Sequence, residues 1–459
     1  MKTIANRTKV IPVVATMPAD LLTPLAVYLK LADGAANSFL LESVEGGRNL
    51  ARYSFIGAGA NRVMTGEVFA ELREHFAEYF ADPDSELPPF IGGAIGYLGF
   101  ECCEWFEPTL TSDREKDAAM MIYDTVVAFD HAKQIVKIIS LDFEGEPATA
   151  QQRNSELRVR LEDPSLPNWP PAYAGGSDKN IVTPTSNWER EAFENAVTEI
   201  KELINAGECY QAVMSQCFSR PTSANAVAIY RAIRSINPSP YMFLLDMGHK
   251  QVIGASPEML VRCEDRKLQY RPIAGTRPRG RTTAEDAVLA DEMRRDAKEV
   301  AEHLMLVDLG RNDLGRVAEF GSVKVDTLMS VEKYSHVQHL VSALSANLRD
   351  GLDRFDALAA CFPAGTVSGA PKVRAIEIIR KLEPTSRGVY AGAVGYFDYA
   401  GNMDTCIAIR TMVLENGIAK IQAGAGIVAD SVPSSEFDET VNKAKVLQRA
   451  IDIAESGKL

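Results

Sequence analysis

Short apolar runs follow one another along this chain with few helical patterns between them, and that succession most constrains the fold. In the first third, residues 38–43 (SFLLES), 54–57, 91–98, 125–129 and 135–139 are strand-like, punctuated by glycine and charge, whereas helical spacing falls only at 20–32 and 67–80. Long runs of strands with separated helices predict α+β layers with much antiparallel pairing, not repeated βαβ units. No fixed-period repeat interrupts the pattern.

Residues 145–188 change character, with Pro147, Pro164, Pro167, Pro170, Pro171, Gly175, Gly176 and Pro184 crowding a polar stretch that reads as a surface connection. The expected division is an N-terminal region over 1–145, a linker over 146–185 and a larger region over 186–459. Beyond the linker, a helix from Trp188 to Ile204 is expected behind Ser186 as N-cap, ending at Gly207. Further helices are expected at 224–235, 285–308, 335–348, 353–361, 371–381 and 434–455. Strands are expected at 211–218, 241–246, 251–254, 259–263, 268–273, 392–397, 404–413 and 417–424.

A net charge of -13 argues against nucleic-acid or membrane-surface binding, both of which need a basic face. The seven cysteines are odd in number and lack a C-x-x-C pair, so reduced thiols are expected. Pro12 and Pro18 break the apolar run near the start, which is too short for a signal segment, and no run approaches 18 apolar residues. A cytoplasmic enzyme is the expected class.

Several local patterns can carry chemistry. Glu299 and Glu302 are three apart, as are Glu436 and Glu439, so each pair would share a helix face. If the two helices meet, four hard oxygen donors suit Mg²⁺; if they do not, these are solvated faces. Gly424-Ala425-Gly426 can offer successive N–H groups as an anion nest, and Arg410 offers a bidentate fork. The segment 271–277 (RPIAGTR) reads as a strand end and a Gly-Thr turn, Gly275 permitting positive φ, with Ala274 before it. Residues 365–372 lack the Gly-Lys-Ser/Thr ending of a P-loop.

Taken with 207–216 (GECYQAVMSQ), 255–258 (ASPE), 363–372 (PAGTVSGAPK) and 423–427 (AGAGI), the RPIAGTR segment resembles the chorismate-utilising enzymes, and among them anthranilate synthase component I. The resemblance is strong from about 186 to 455 and weaker over 20–140. It implies an anthranilate synthase-like layered α/β sandwich with two interwoven lobes and large, mostly antiparallel sheets. It also implies that Glu302 and Glu439 bind Mg²⁺ directly while Glu299 and Glu436 support it. Gly424, Ala425, Gly426, Arg410 and Tyr390 are implied to hold the pyruvyl end of chorismate, Gly275 and Thr276 to contact substrate, and Lys443 to reach its anion.

Two positions choose the nucleophile. Family members that add water carry a lysine base where this chain has Gln211, and a glutamine can orient ammonia but cannot deprotonate water near neutral pH. The lysine of aminodeoxychorismate synthase falls at Ala274, so attack at ring carbon 2 is implied. Glu258 matches the general acid that protonates the departing hydroxyl, a role requiring a raised pKa. His339 matches a histidine tied to pyruvate elimination, and Thr366 with Ser368 would line the ring pocket.

Ser43, in 40–43 (LLES), and Pro240, Tyr241 and Met242, in 237–242 (NPSPYM), resemble the tryptophan-binding elements of feedback-inhibited members, with Glu42 available to meet an amino group. No Cys-His-Glu glutaminase set is apparent, and the chain is expected to close in a helix. The resemblance therefore implies a separate glutaminase subunit in a two-plus-two heterotetramer, a lyase of the tryptophan pathway inhibited by L-tryptophan. Aminodeoxychorismate synthase component I and a non-catalytic tryptophan-binding module are the alternatives; isochorismate or salicylate synthase is disfavoured by Gln211.

Overall fold

The computed structural model describes residues 7–43, 52–165, 182–334 and 337–457. Among these, two large sheets face each other. The first runs Thr185–Ser186, Gln211–Pro221, Ile418–Ile427, Thr411–Glu415, Lys250–Ser256, Tyr241–Asp246, Ser38–Glu42, Tyr53–Ala58, Thr125–Asp130, Ile135–Asp142, Ile11–Pro18. The second runs Ile273–Pro278, Val337–Asn347, Lys267–Tyr270, Met259–Glu264, Met403–Ile407, Ala393–Asp398, Gly93–Leu98, Ala118–Tyr123, Arg62–Thr65. The pairings along both orders are antiparallel, as the strand-rich sequence predicts. Both sheets draw strands from before and after residue 145, so the lobes do not correspond to the N- and C-terminal stretches of sequence.

One core lies between the sheets and joins Phe39, Phe55, Leu245 and Val252 of the first to Ile95, Tyr97, Val261 and Phe397 of the second. A second core covers the outer face of the first sheet with Pro24–Ala32, Ala226–Ile236 and Pro433–Ser456. Period-two alternation sorts the strand Tyr241–Asp246 between them, Phe243 and Leu245 entering one core and Met242 and Leu244 the other.

Several expectations are corrected. In place of the helix expected over 335–348, the described part, Val337–Asn347, is a strand holding Ile273–Pro278 and Lys267–Tyr270 on one side and Lys324–Lys333 on the other. The expected helix over 285–308 is two, Thr283–Arg295 and Ala297–Gly315, because Asp296 turns extended and its side chain accepts from the N–H groups of Lys298 and Glu299. The run 404–413 is two strands in different sheets, and the connection over 145–188 contains a helix, Pro147–Glu162, packed on the strands Ile135–Asp142 and Ile11–Pro18. Ser186 does not cap the helix Arg190–Asn205; its hydroxyl donates to Gln216 and accepts from the N–H of Trp188. All seven cysteines are free, and no helix among the described residues is long and apolar enough to cross a membrane.

Candidate active site

Two of the chain's crossings from one sheet to the other lie side by side, and the site grows from both. Lys250–Ser256 belongs to the first sheet and Met259–Glu264 to the second, so Glu258 sits on the crossing. Met403–Ile407 returns to Thr411–Glu415 through Arg410, a non-glycine residue at φ +51°. The crossings are stitched together: Ile407 N donates to Glu258 O at 3.0 Å, Ser256 Oγ to Ile407 O at 2.7 Å, and Ala255 N to Arg410 O at 3.1 Å. Ala408 in turn exchanges backbone hydrogen bonds with Ala391 and Gly392, which brings Tyr390 alongside.

Glu258 is 6% exposed, and burial raises its pKa to about 8, so the carboxyl is largely protonated at neutral pH. The Thr366 hydroxyl makes no full hydrogen bond, yet it lies near enough to offset part of that rise. A buried protonated carboxyl is what general-acid catalysis requires.

Gln211 begins the strand Gln211–Pro221 and is buried, its Oε1 left without a partner. Its amide fills the space that a side chain at Gly426 would take, since a methyl there would lie 2.5 Å from Nε2. Likewise a methyl on Gly424 would lie 2.6 Å from the Tyr390 hydroxyl, so both glycines make room for polar groups. Burial pushes Tyr390 up to about 12 and keeps it a hydrogen-bond donor. The expected nest is not formed: Gly424, Ala425 and Gly426 lie in an extended strand opposite Ser215, Met214 and Val213, where successive N–H groups alternate in direction. Thr411–Glu415 pairs with this strand only as far as Ile421, so its second edge is without a strand partner at these residues.

Arg410 and Lys443 close this side. Arg410 is half-buried, and its desolvation lowers its pKa; its Nη1 donates to Lys443 O at 2.9 Å. Lys443 Nζ donates to Gly424 O at 2.8 Å and pairs with Glu439 at 2.6 Å, so it already serves the strand and the acidic helix. Arg410 also acts electrostatically on His339. On the opposite wall, Gly275 forms a bulge at φ +62° inside the strand Ile273–Pro278, where the sequence suggests a turn. Its carbonyl accepts from His339 Nδ1 at 2.9 Å, with Thr276 Oγ1 at 3.1 Å from the same nitrogen.

The two acidic helices do approach. Glu302 is raised first by burial and then by the charges of Glu299 and Glu439; Glu436 is raised by burial and by Glu439. Carboxylates from Ala297–Gly315 thus feel those of Pro433–Ser456, and the charge of Lys298 acts on both Glu302 and Glu436. They do not form a ready ligand shell among the described residues. Glu299 pairs with Arg277 at 2.9 Å and Glu439 with Lys443, so two of the four are held by cations. The donors are chemically suited to a hard cation completed by waters and substrate oxygens.

Ser43, Pro240, Tyr241 and Met242 lie apart from this cleft and share a cavity of about 670 Å³ between the sheets. Ser43 Oγ is buried there without a hydrogen-bond partner among the described residues. Glu42 cannot meet an amino group freely, because its carboxylate accepts from Tyr230 and pairs with Arg234 at 3.3 Å. Sequence reasoning missed Asp404, which accepts from Tyr241 Oη at 3.0 Å and from Arg262 at 2.5 Å on the cavity wall. No local signal marks it, 163 residues from Tyr241.

A family model described as chorismate binding enzyme matches residues 36–449. The chain is 45% identical to anthranilate synthase component 1 of Pseudomonas putida across 97% of this chain and 96% of that protein. It is also 45% identical to the protein of that name from Thermus thermophilus, across 96% and 98%. The solved structure of anthranilate synthase component I from Streptococcus pneumoniae TIGR4 covers 94% of this chain and 99% of its own, with a TM-score of 0.76 at 35% identity. The fold extends to MenF, the menaquinone-specific isochorismate synthase of Escherichia coli, at a TM-score of 0.75 and 20% identity. A buried acid, a paired acidic-helix wall and glycines that admit polar groups thus stand in a chain matched over nearly its whole length; it belongs to the chorismate binding enzyme family, among the anthranilate synthase component I proteins.

Proposed function

We propose that this chain converts chorismate and ammonia to anthranilate and pyruvate as the synthase component of a two-component anthranilate synthase. The observation that carries this reading is the pairing of a protonated Glu258 with a neutral Gln211. Glu258 gives its proton to the hydroxyl leaving ring carbon 4, while Gln211 orients ammonia for attack at carbon 2, a nucleophile that needs no base once unprotonated. Ala274 is buried and supplies no competing amine. Tyr390 and Arg410 bind the pyruvyl carboxylate, Gly424 to Gly426 leaving the space, and Gly275 with Thr276 bounds the ring. His339 Nε2 then takes the carbon 2 proton as pyruvate departs.

Glu302 and Glu439, backed by Glu299 and Glu436, would hold Mg²⁺, which when bound withdraws charge from the ring carboxylate. The mutual repulsion at Glu302 supports a cation there. Ammonia is supplied by a glutaminase partner, in keeping with the component names of the relatives. Tryptophan occupies the cavity holding Ser43, Pro240, Tyr241 and Met242 and favours a substrate-incompetent arrangement; seven free thiols fit a reducing cytoplasm.

The deciding assay supplies chorismate, Mg²⁺ and ammonium to the purified chain and follows anthranilate fluorescence, with and without tryptophan. Absence of fluorescent product refutes the synthase reading, and product formation indifferent to tryptophan refutes the regulatory one.

A further inference from the structure

Arg387 is fully buried in the loop between the helix Lys372–Leu382 and Tyr390, beside the site yet outside it. Four of its guanidinium hydrogen bonds fan out in different directions. Nη2 donates to Val213 O at 2.6 Å and Nη1 to Val367 O at 2.8 Å, while Nε and Nη2 grip the two oxygens of Glu383 at 2.8 and 2.6 Å. Val213 is two residues from Gln211, and Val367 adjoins Thr366. The guanidinium carbon also lies 4.5 Å from the Phe100 ring centre and 5.6 Å from that of Tyr390.

Carboxylates on either side complete the unit. Glu383 Oε1 accepts from the N–H and hydroxyl of Ser215 at 2.8 and 2.7 Å, and Ser215 stands opposite Gly424 in the sheet. Glu101, wholly buried and from the N-terminal part of the chain, accepts from the backbone N–H of Arg387 at 2.8 Å and that of Gly388 at 3.0 Å. A buried ion pair is weak ground for stability, since apolar replacements often serve as well. What a guanidinium adds is a planar fork that fixes several acceptors at once, which an ammonium cannot.

We propose that Arg387, held by Glu101 and Glu383, is a positioning residue that sets Gln211, Thr366 and Tyr390 relative to one another for the amination of chorismate; this rests on the site assigned above. Its two outward bonds reach the segments carrying the ammonia-orienting and ring-lining groups, and its face underlies the tyrosine at the pyruvyl end. Displacements of about an ångström cost roughly a hundredfold in rate.

The test compares Arg387→Lys, Arg387→Met and Glu101→Gln with the parent in ammonium-dependent turnover at saturating Mg²⁺, normalised to folded protein by circular dichroism and thermal melting. The expected result is a kcat at least tenfold lower and a raised KM for chorismate in Arg387→Lys, no rescue by Met, and a smaller change in the same direction for Glu101→Gln. A kcat per folded molecule within twofold of the parent in the Arg387 variants overturns the proposal. Should neither Arg387 variant fold, Glu101→Gln decides it: parental kcat and KM overturn it. Gln211→Ala, Thr366→Val and Tyr390→Phe separate the two levels of inference. If these are impaired and Arg387→Lys is not, only this proposal falls; if they are parental, the site assignment falls and this proposal with it.

Discussion

His339 is locked to Gly275: its Nδ1 lies 2.9 Å from a carbonyl that can only accept, so the ring carries its proton on Nδ1 and presents Nε2 as a base. Burial lowers the histidine's pKa, which keeps that base neutral at pH 7. His339→Gln is therefore expected to leave ammonia addition largely intact and slow pyruvate elimination about a hundredfold. Mass spectrometry should find an aminated intermediate that retains its pyruvyl group. Equal slowing of chorismate consumption and anthranilate release would remove His339 from that step.

If Glu258 is the general acid, activity is expected to fall as pH rises through about 8, because its proton is then lost. Thr366 offsets part of the rise, so Thr366→Val should move the alkaline limb of kcat/KM to higher pH. The sign for stability is the same: a carboxyl raised above its ordinary 4.5 contributes stability present in full below that value and lost as pH climbs towards about 8. Urea unfolding at pH 5 and pH 9 should show this loss in the parent and less of it in Glu258→Gln; identical losses would count against a buried acid.

Glu302→Ala and Glu439→Ala are each expected to abolish turnover and to weaken Mg²⁺ binding measured directly by calorimetry. Near-parental rates at physiological Mg²⁺ would disprove their assignment as ligands.

Gly424→Ala sets a methyl 2.6 Å from the Tyr390 hydroxyl and 3.0 Å from Met214 O. Overpacking of this kind costs about 1–3 kcal/mol. The KM for chorismate should rise at least tenfold with a lowered melting temperature. Unchanged affinity would mean that Tyr390 does not serve the pyruvyl end.

Ser43→Ala tests the tryptophan cavity proposed above, where the serine hydroxyl lacks a partner among the described residues. Its removal should raise the tryptophan concentration for half-inhibition about tenfold, the effect of losing one well-placed hydrogen bond of about 1.4 kcal/mol. An unaltered inhibition curve would clear this serine of effector contact.

The chemistry was legible where it is local. Glu258, Gln211, Gly275 and the acidic pairs each stand in short segments whose residue types limit what they can do, and in the structure Gln211 lies against Gly426, Gly275 binds His339, and Glu302 feels the charge of Glu439. The strand Val337–Asn347 was not legible, because Val337, Leu340, Val341 and Leu344 repeat at helical spacing while burial of residues on both of its faces erases any simple alternation. The helix Pro147–Glu162 was hidden for the opposite reason: it is polar almost throughout and buries only Ala150, Asn154 and Leu161. Arg387 was invisible because its partners come from Val213, Val367, Glu383 and Glu101, brought together only by the fold.

The strand Ser38–Glu42 lies between Tyr241–Asp246 and Tyr53–Ala58, and Gly93–Leu98 lies between Ala393–Asp398 and Ala118–Tyr123. Cutting the chain after the first 145 residues would therefore strip neighbours from the middle of both sheets and bare two long hydrogen-bonding edges, inviting aggregation. If tryptophan binds the second cavity as proposed, its effect is not carried by a detachable module. On that proposal, a tryptophan-insensitive form would be reached one side chain at a time, with the N-terminal strands kept in place.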